Sequence, residues 1–223
     1  MSTSTEAPVR KPFARLSAGE AEDALYVDFE GLTSRPPVLL GTLHRRGRGE
    51  EPFVHQVVLD PLFAPMGPEL RPAREAVEML VRRAEARDRR IVAWTEHELE
   101  VVRCLCADDP DLVARFESRY ANALAVAKRW VNRCRPADRP ADGTLAAYLD
   151  LIGYPVPPGA GPGHVGDTIR AITPTLAGGR PPTPRQRARW ARLLKHNAHD
   201  CAGMREVCLI AARDLEGDGQ SDA

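Results

Sequence analysis

Residues 24–31, ALYVDFEG, place two carboxylates on one face of a stretch that otherwise has the composition of a buried strand. Side chains two apart on a strand point the same way, so Asp28 and Glu30 project together with Tyr26, while Leu25, Val27 and Phe29 face the other side. Two like charges so close repel, and a divalent cation is the simplest compensation. Mg2+ and Mn2+ take oxygen ligands, one or two carboxylates with water and substrate phosphate completing the shell. A strand that merely ends in a solvated turn has the same Asp-x-Glu, so its meaning depends on further acids converging there.

The surrounding pattern gives the fold class. Two more strand-like runs follow, VLLGTLH (38–44) and FVHQVVL (53–59), bounded by Gly, Pro and charged turn residues. RRGRGEE between them predicts a hairpin, so the first three strands read as an antiparallel meander. Residues 69–88 read as an amphipathic helix, with Ala76, Val77, Leu80, Val81 and Ala84 at helical spacing, and RIVAW (90–94) as a short buried strand. A helix between strands three and four implies a crossover, hence a mixed α/β sheet flanked by helices.

Beyond it, residues 110–133 are helical in pattern, with NALAVA (122–127) as the alternative of a fifth, edge strand. Residues 142–154 predict a short amphipathic helix, 155–167 a Pro/Gly loop, and the last long helix runs from about Thr183-Pro184 to about Leu215. The expected organisation is one domain over 23–215, with a helical insertion after strand four at about 108–182. Disordered tails are expected at 1–22 and, acidic, at 216–223.

Charge and cysteine content exclude several classes. Thirty-one basic and 31 acidic residues cancel, so attraction to a polyanion must be local. No apolar leader or membrane-length run is seen, and five cysteines without a CxxC pair argue against a disulfide framework or structural zinc. A cytoplasmic location with reduced thiols is expected.

Two further acids are candidates. Glu98 follows strand four, where Thr95 and Glu98 form a capping box, near the carboxyl end of a strand where α/β sheets bind ligands. Glu96 and Glu100 compete with it. Asp200 lies at the margin of the last helix's apolar stripe (Leu193, Leu194, Met204, Val207, Cys208), with His196 one turn before it on the same face. A His-x-x-x-Asp pair aimed into a cleft can relay a proton near neutral pH. Just upstream, residues 180–195 carry six basic side chains and no acid. Arg185, Arg189 and Arg192 share a helical face there and Trp190 offers a stacking surface, the elements with which single strands are held. A solvated basic face is the alternative. Arg129, Trp130, Arg133 and Arg135 form a second, weaker patch. His44 and His55 read as sheet-face residues, His164 as a surface residue of the Pro/Gly loop and Trp94 as core.

The order of these motifs resembles the DEDD 3′–5′ exonucleases of the ribonuclease H-like superfamily, and more closely the ribonuclease H-like domain associated with RecB-family nucleases and some helicases. YVDFEG, TLAAYLDLIGY and HNAHDCAGM carry the resemblance, over about residues 24–212. It implies a ribonuclease H-like fold with a five-stranded mixed sheet, and a metal-dependent nuclease. Such an enzyme would trim single-stranded DNA or RNA from a 3′ end with two Mg2+ or Mn2+ ions held by Asp28, Glu30, Glu98 and Asp200. The family's general base is a Tyr four residues before the last Asp or a His five before it. Here His196 stands in the tyrosine register and Lys195 in the other, so His196 is the expected catalytic partner of Asp200, with His199 the alternative. A catalytically inactive nucleic-acid-binding or partner-docking module, or a small phosphoester hydrolase, is the other expectation. A helicase or RecB-like nuclease would be a natural protein partner.

Overall fold

The computed structural model describes residues 14–33, 35–45, 50–67, 69–158 and 165–220. A five-stranded sheet is built from β1 (Leu25–Glu30), β2 (Leu39–His44), β3 (Phe53–Val58), β4 (Ile91–Ala93) and β5 (Tyr120–Asn122), in the order β3-β2-β1-β4-β5. β1, β2 and β3 are antiparallel neighbours, with Asp28 opposite Gly41 and Thr42 opposite His55. β4 lies parallel to β1, and β5 parallel to β4. The connection from β3 to β4 runs through helix α2 (Ala73–Glu85), as a parallel neighbour requires.

The period-two pattern of β1 decides which helices cover which face. Leu25, Val27 and Phe29 pack with Ala76, Val77, Leu80, Val81 and Ala84 of α2, Leu99 and Val102 of α3 (His97–Leu105), and Leu112 and Phe116 of α4 (Pro110–Arg119). Tyr26 faces the opposite layer, formed by α1 (Ala18–Asp23), α5 (Ala123–Cys134), α6 (Leu145–Leu151) and α8 (Pro184–Gln220). A third apolar cluster joins Val38, Leu39 and Val58 to α7 (Val165–Ala177) and to Trp190 and Leu193 at the start of α8. Helix α6 ends on Gly153 at φ 66°, where the Tyr154 and Gly153 amides bond back to the Leu149 and Asp150 carbonyls.

Several expectations are corrected. The fifth strand is Tyr120–Asn122, not 122–127: Asn122 caps α5 by accepting from the Ala125 amide, and the apolar run after it packs at helical spacing on α8. That strand falls inside the span expected to be an insertion, so part of 108–182 completes the sheet. The expected tails are also shorter. Ser17 and Glu20 form a capping box that starts α1, and the Ala18 amide donates to Glu216 Oε1 at 2.7 Å. This contact ties the first helix to the far end of α8, which continues helically to Gln220. Residues 1–13 and 221–223 of the tails, 46–49 of the hairpin loop, and 159–164 of the Pro/Gly loop, with His164, lie outside the described residues. Among the described residues no helix is long and apolar enough to cross a membrane.

Candidate active site

The parallel strands β1 and β4 end on the same edge of the sheet, so the end of β1 and the start of α3 are neighbours there. Glu30 is the last residue of β1 and is 7 % exposed; Asp28 is half-buried on the same face. Glu98 comes in from the first turn of α3 and is also 7 % exposed, whereas Glu96 and Glu100 are exposed. Thr95 holds it: the Glu98 carboxylate accepts from the Thr95 amide and hydroxyl, both at 3.3 Å. The helix itself starts two residues after Thr95, with Glu96 at the N-cap, so the expected capping box is only half formed: Glu98 reaches back to Thr95, but the Thr95 hydroxyl accepts from the His97 amide and not from that of Glu98.

Helix α8 supplies the rest. It crosses the face of the sheet from which Asp28 and Glu30 project, bringing His196 and Asp200 to them from 166 or more residues away in sequence. His196 Nε2 lies 3.5 Å from Asp200 Oδ2 and 4.0 Å from Glu30 Oε1. His199, the alternative partner, is buried with its ring 5.3 Å from that of Tyr154, and burial and the nearby His196 lower its pKa.

Electrostatics report the crowding. Burial, followed by repulsion from Asp28 and Asp200, pushes the Glu30 carboxyl up to about 10. Glu98 and Asp200 both rise to about 7, each through burial and then the Asp28 charge. Asp28 is raised by burial too, less so because Asn197 and His196 favour its charged form. A hydrogen bond from Glu30 to Asp28 needs a proton between the two carboxyls. Yet Glu30 Oε1, fully buried, has no hydrogen-bond partner. Buried carboxylate oxygens are rarely left so, because the desolvation is uncompensated.

Asn197 completes the arrangement and was not foreseen. Fully buried, it donates from Nδ2 to Asp28 Oδ2 (2.8 Å) and to the Asp28 carbonyl (3.1 Å), while its Oδ1 accepts from Gln56 Nε2 (2.8 Å). A side chain at Gly41 would put its Cβ 2.0 Å from Asn197 Oδ1, so only glycine lets α8 approach β2 this closely. A glycine inside the apolar run VLLGTLH is the sequence signal for such an approach. Beside Glu30, a cleft of about 540 Å³ is lined by Phe29, Leu32, Pro36, Pro37, His97 and Val101.

The basic segment divides. Arg185 and Arg192 are exposed on α8 and Arg189 is half-buried, on the same side of the helix as His196 and Asp200. Trp190 is no stacking surface: it is 2 % exposed and stacks on Phe63, centroids 5.5 Å apart. Helical spacing puts it 100° round from Arg189, on the core side. Trp130 of the second patch is likewise core, its Nε1 donating to Asp214 at 2.7 Å, and Arg133 is paired with Asp218. Trp94 is core as expected, donating to the Gly143 carbonyl.

Among the described residues, no three His, Cys, Asp or Glu side chains stand ready-arranged around a common ligand position. The donor chemistry nonetheless suits a hard divalent cation: four carboxylates that repel one another, one with an oxygen lacking any donor. Comparison of the chain with protein-family models, curated proteins and solved structures found no match.

Proposed function

We propose that the protein is a metal-dependent nuclease with a ribonuclease H-like fold, hydrolysing phosphodiester bonds of single-stranded DNA or RNA, stepwise from the 3′ end. One observation carries the reading: the buried Glu30 oxygen, without a hydrogen bond, beside three other carboxylates gathered from β1, α3 and α8. Such a cluster is costly in an empty cleft and stabilising around cations. The strand order, with its antiparallel first three strands and parallel fourth and fifth, agrees with the resemblance noted in the sequence.

Asp28, Glu30, Glu98 and Asp200 would hold two Mg2+ or Mn2+ ions, which when bound supply Lewis acidity at the phosphate and a more acidic water. His196, next to both Asp200 and Glu30, accepts or orients the proton of the attacking water. The phosphorus–O3′ bond breaks and the departing oxygen is protonated, releasing a nucleotide. Asn197 fixes the Asp28 carboxylate and disfavours its protonated form. The apolar cleft beside Glu30 suits the terminal base, and Arg185, Arg189 and Arg192 suit the phosphates of the approaching strand.

The test is a manganese titration with a 5′-labelled oligonucleotide, which keeps its label while the 3′ end is trimmed. Stepwise products that require the metal and vanish in Asp28→Asn support the enzyme; strand binding in chelator with no product at any metal concentration supports a non-catalytic module. That second reading draws on Asp28 already being satisfied by Asn197.

A further inference from the structure

At the opposite end of the sheet, where β1 begins and β2 ends, a cavity of about 410 Å³ opens against the last turn of α2. Leu25 in its lining is three residues along β1 from Asp28 and five from Glu30, about 10 and 17 Å at the rise of a strand. The cavity's described lining carries four arginines, Arg45, Arg83, Arg87 and Arg89, with His44 and His55 and no acid. Arg45 and Arg89 are held from behind by Glu22 and Asp23, and His55 by Glu69 at 2.9 Å. Arg83 and Arg87 have no carboxylate within ion-pair distance among the described residues, Glu69 acting on Arg83 only from farther off. Arg89 is 6 % exposed and donates to the Arg45 carbonyl at 3.1 Å, and the buried Arg45 Nε has no hydrogen-bond partner.

With Arg45 and Arg89 already paired, Arg83 and Arg87 leave two uncompensated guanidinium charges at one concavity, which an anion there would offset. His44 is neutral there: its Nε2 accepts from Arg83 at 3.4 Å, and burial, then the Arg83 charge, lower its pKa to about 4. Guanidinium forks match phosphate oxygens in pairs, and an unpartnered buried Arg45 nitrogen is the kind of donor such an oxygen satisfies. The volume lies in the range of small-molecule sites, and Phe53 supplies an apolar wall.

We infer that this cavity is a second, separate site that binds the phosphate group of a phosphorylated small molecule. It does not depend on the nuclease reading. Calorimetric titration of the full chain, in chelator and at constant ionic strength, with inorganic phosphate and with adenosine monophosphate tests it. Saturable one-to-one binding is expected, weakened about tenfold or more by Arg83→Gln and lost in Arg83→Gln/Arg87→Gln. Tighter binding of adenosine monophosphate would assign the ligand as a nucleotide, and equal binding would assign the oxyanion alone. The double variant should keep the parent's circular dichroism spectrum in phosphate-free buffer, since neither arginine makes an ion pair in the fold. Asp200→Asn should bind with unchanged affinity, which separates this site from the carboxylate cluster. Absence of saturable binding by the parent chain, or unchanged affinity in the double variant, would overturn the inference.

Discussion

Asn197 of α8 holds Asp28 of β1 twice, donating from one amide nitrogen to the carboxylate at 2.8 Å and to the backbone carbonyl at 3.1 Å. The bond fixes helix to sheet at the point where the acids meet, and it sits directly over Gly41. Asn197→Ala should therefore cost about 1–3 kcal/mol, since Asp28 and Gln56 each lose a buried partner. Gly41→Ala should also destabilise, by collision with the Asn197 amide. The two should be strongly non-additive in urea unfolding, the double variant recovering part of the Gly41→Ala loss. Simple additivity would mean that Asn197 does not set the helix–sheet distance.

Asp28→Asn and Asp200→Asn should each abolish metal-dependent cleavage and leave the circular dichroism spectrum intact. In chelator both variants should melt above the parent, because each removes a charge that raises the pKa of its neighbours. Full activity in either variant would take that residue out of the site.

Metal-free stability should fall as pH rises through neutrality. Glu98 and Asp200, with folded pKa values of about 7, keep a proton that the unfolded chain has already lost, so their contribution is present at low pH and disappears above about 7. Each such group removes about 1.4 kcal/mol per pH unit between its unfolded and its folded pKa, where only the folded state still holds the proton. Glu30, at about 10, extends the effect to higher pH. Melting temperatures in chelator should decline from about pH 5 upward, most steeply below pH 7 where all three groups contribute and more gently to about 8.5 where Glu30 alone does, and Mn2+ should remove the decline. A flat profile in chelator would contradict the clustering of charge.

His196→Ala should reduce kcat by about 100-fold or more with a much smaller change in KM, as for loss of a general base. His199→Ala, packed against Tyr154, should act on stability and leave the pH dependence of kcat in place. The reverse pattern would move the proton-transfer role to His199.

Arg185→Gln, Arg189→Gln and Arg192→Gln should weaken strand binding alike for any sequence, each reducing the salt slope by about 0.7 if it meets one phosphate of a single strand. Trp190→Ala should instead destabilise the fold by about 3–5 kcal/mol. A stable Trp190→Ala protein that has lost only strand affinity would restore the stacking role.

Local patterning was enough for most of the architecture. Alternation in ALYVDFEG sorted Leu25, Val27 and Phe29 from Asp28 and Glu30, and the apolar spacing of α2 marked the crossover that makes β4 parallel to β1. Those signals are legible because strand and helix periods are properties of neighbouring residues. Where a segment's identity depended on a distant partner, the sequence was ambiguous: Tyr120–Asn122 pairs only because β4 offers an edge, and α1 and the end of α8 are ordered in contact with each other.

What the sequence by itself determined is that two carboxylates share one strand face and that His196 and Asp200 share one helix face. Tertiary structure decided that these faces oppose one another, that Glu98 and not Glu96 or Glu100 turns inward, and that Trp190 belongs to the core. Helix position around its own axis is set by which stripe finds an apolar surface to cover, and the approach of α8 to β2 is set by a glycine more than 150 residues away in sequence. Neither is encoded within any single stretch of chain.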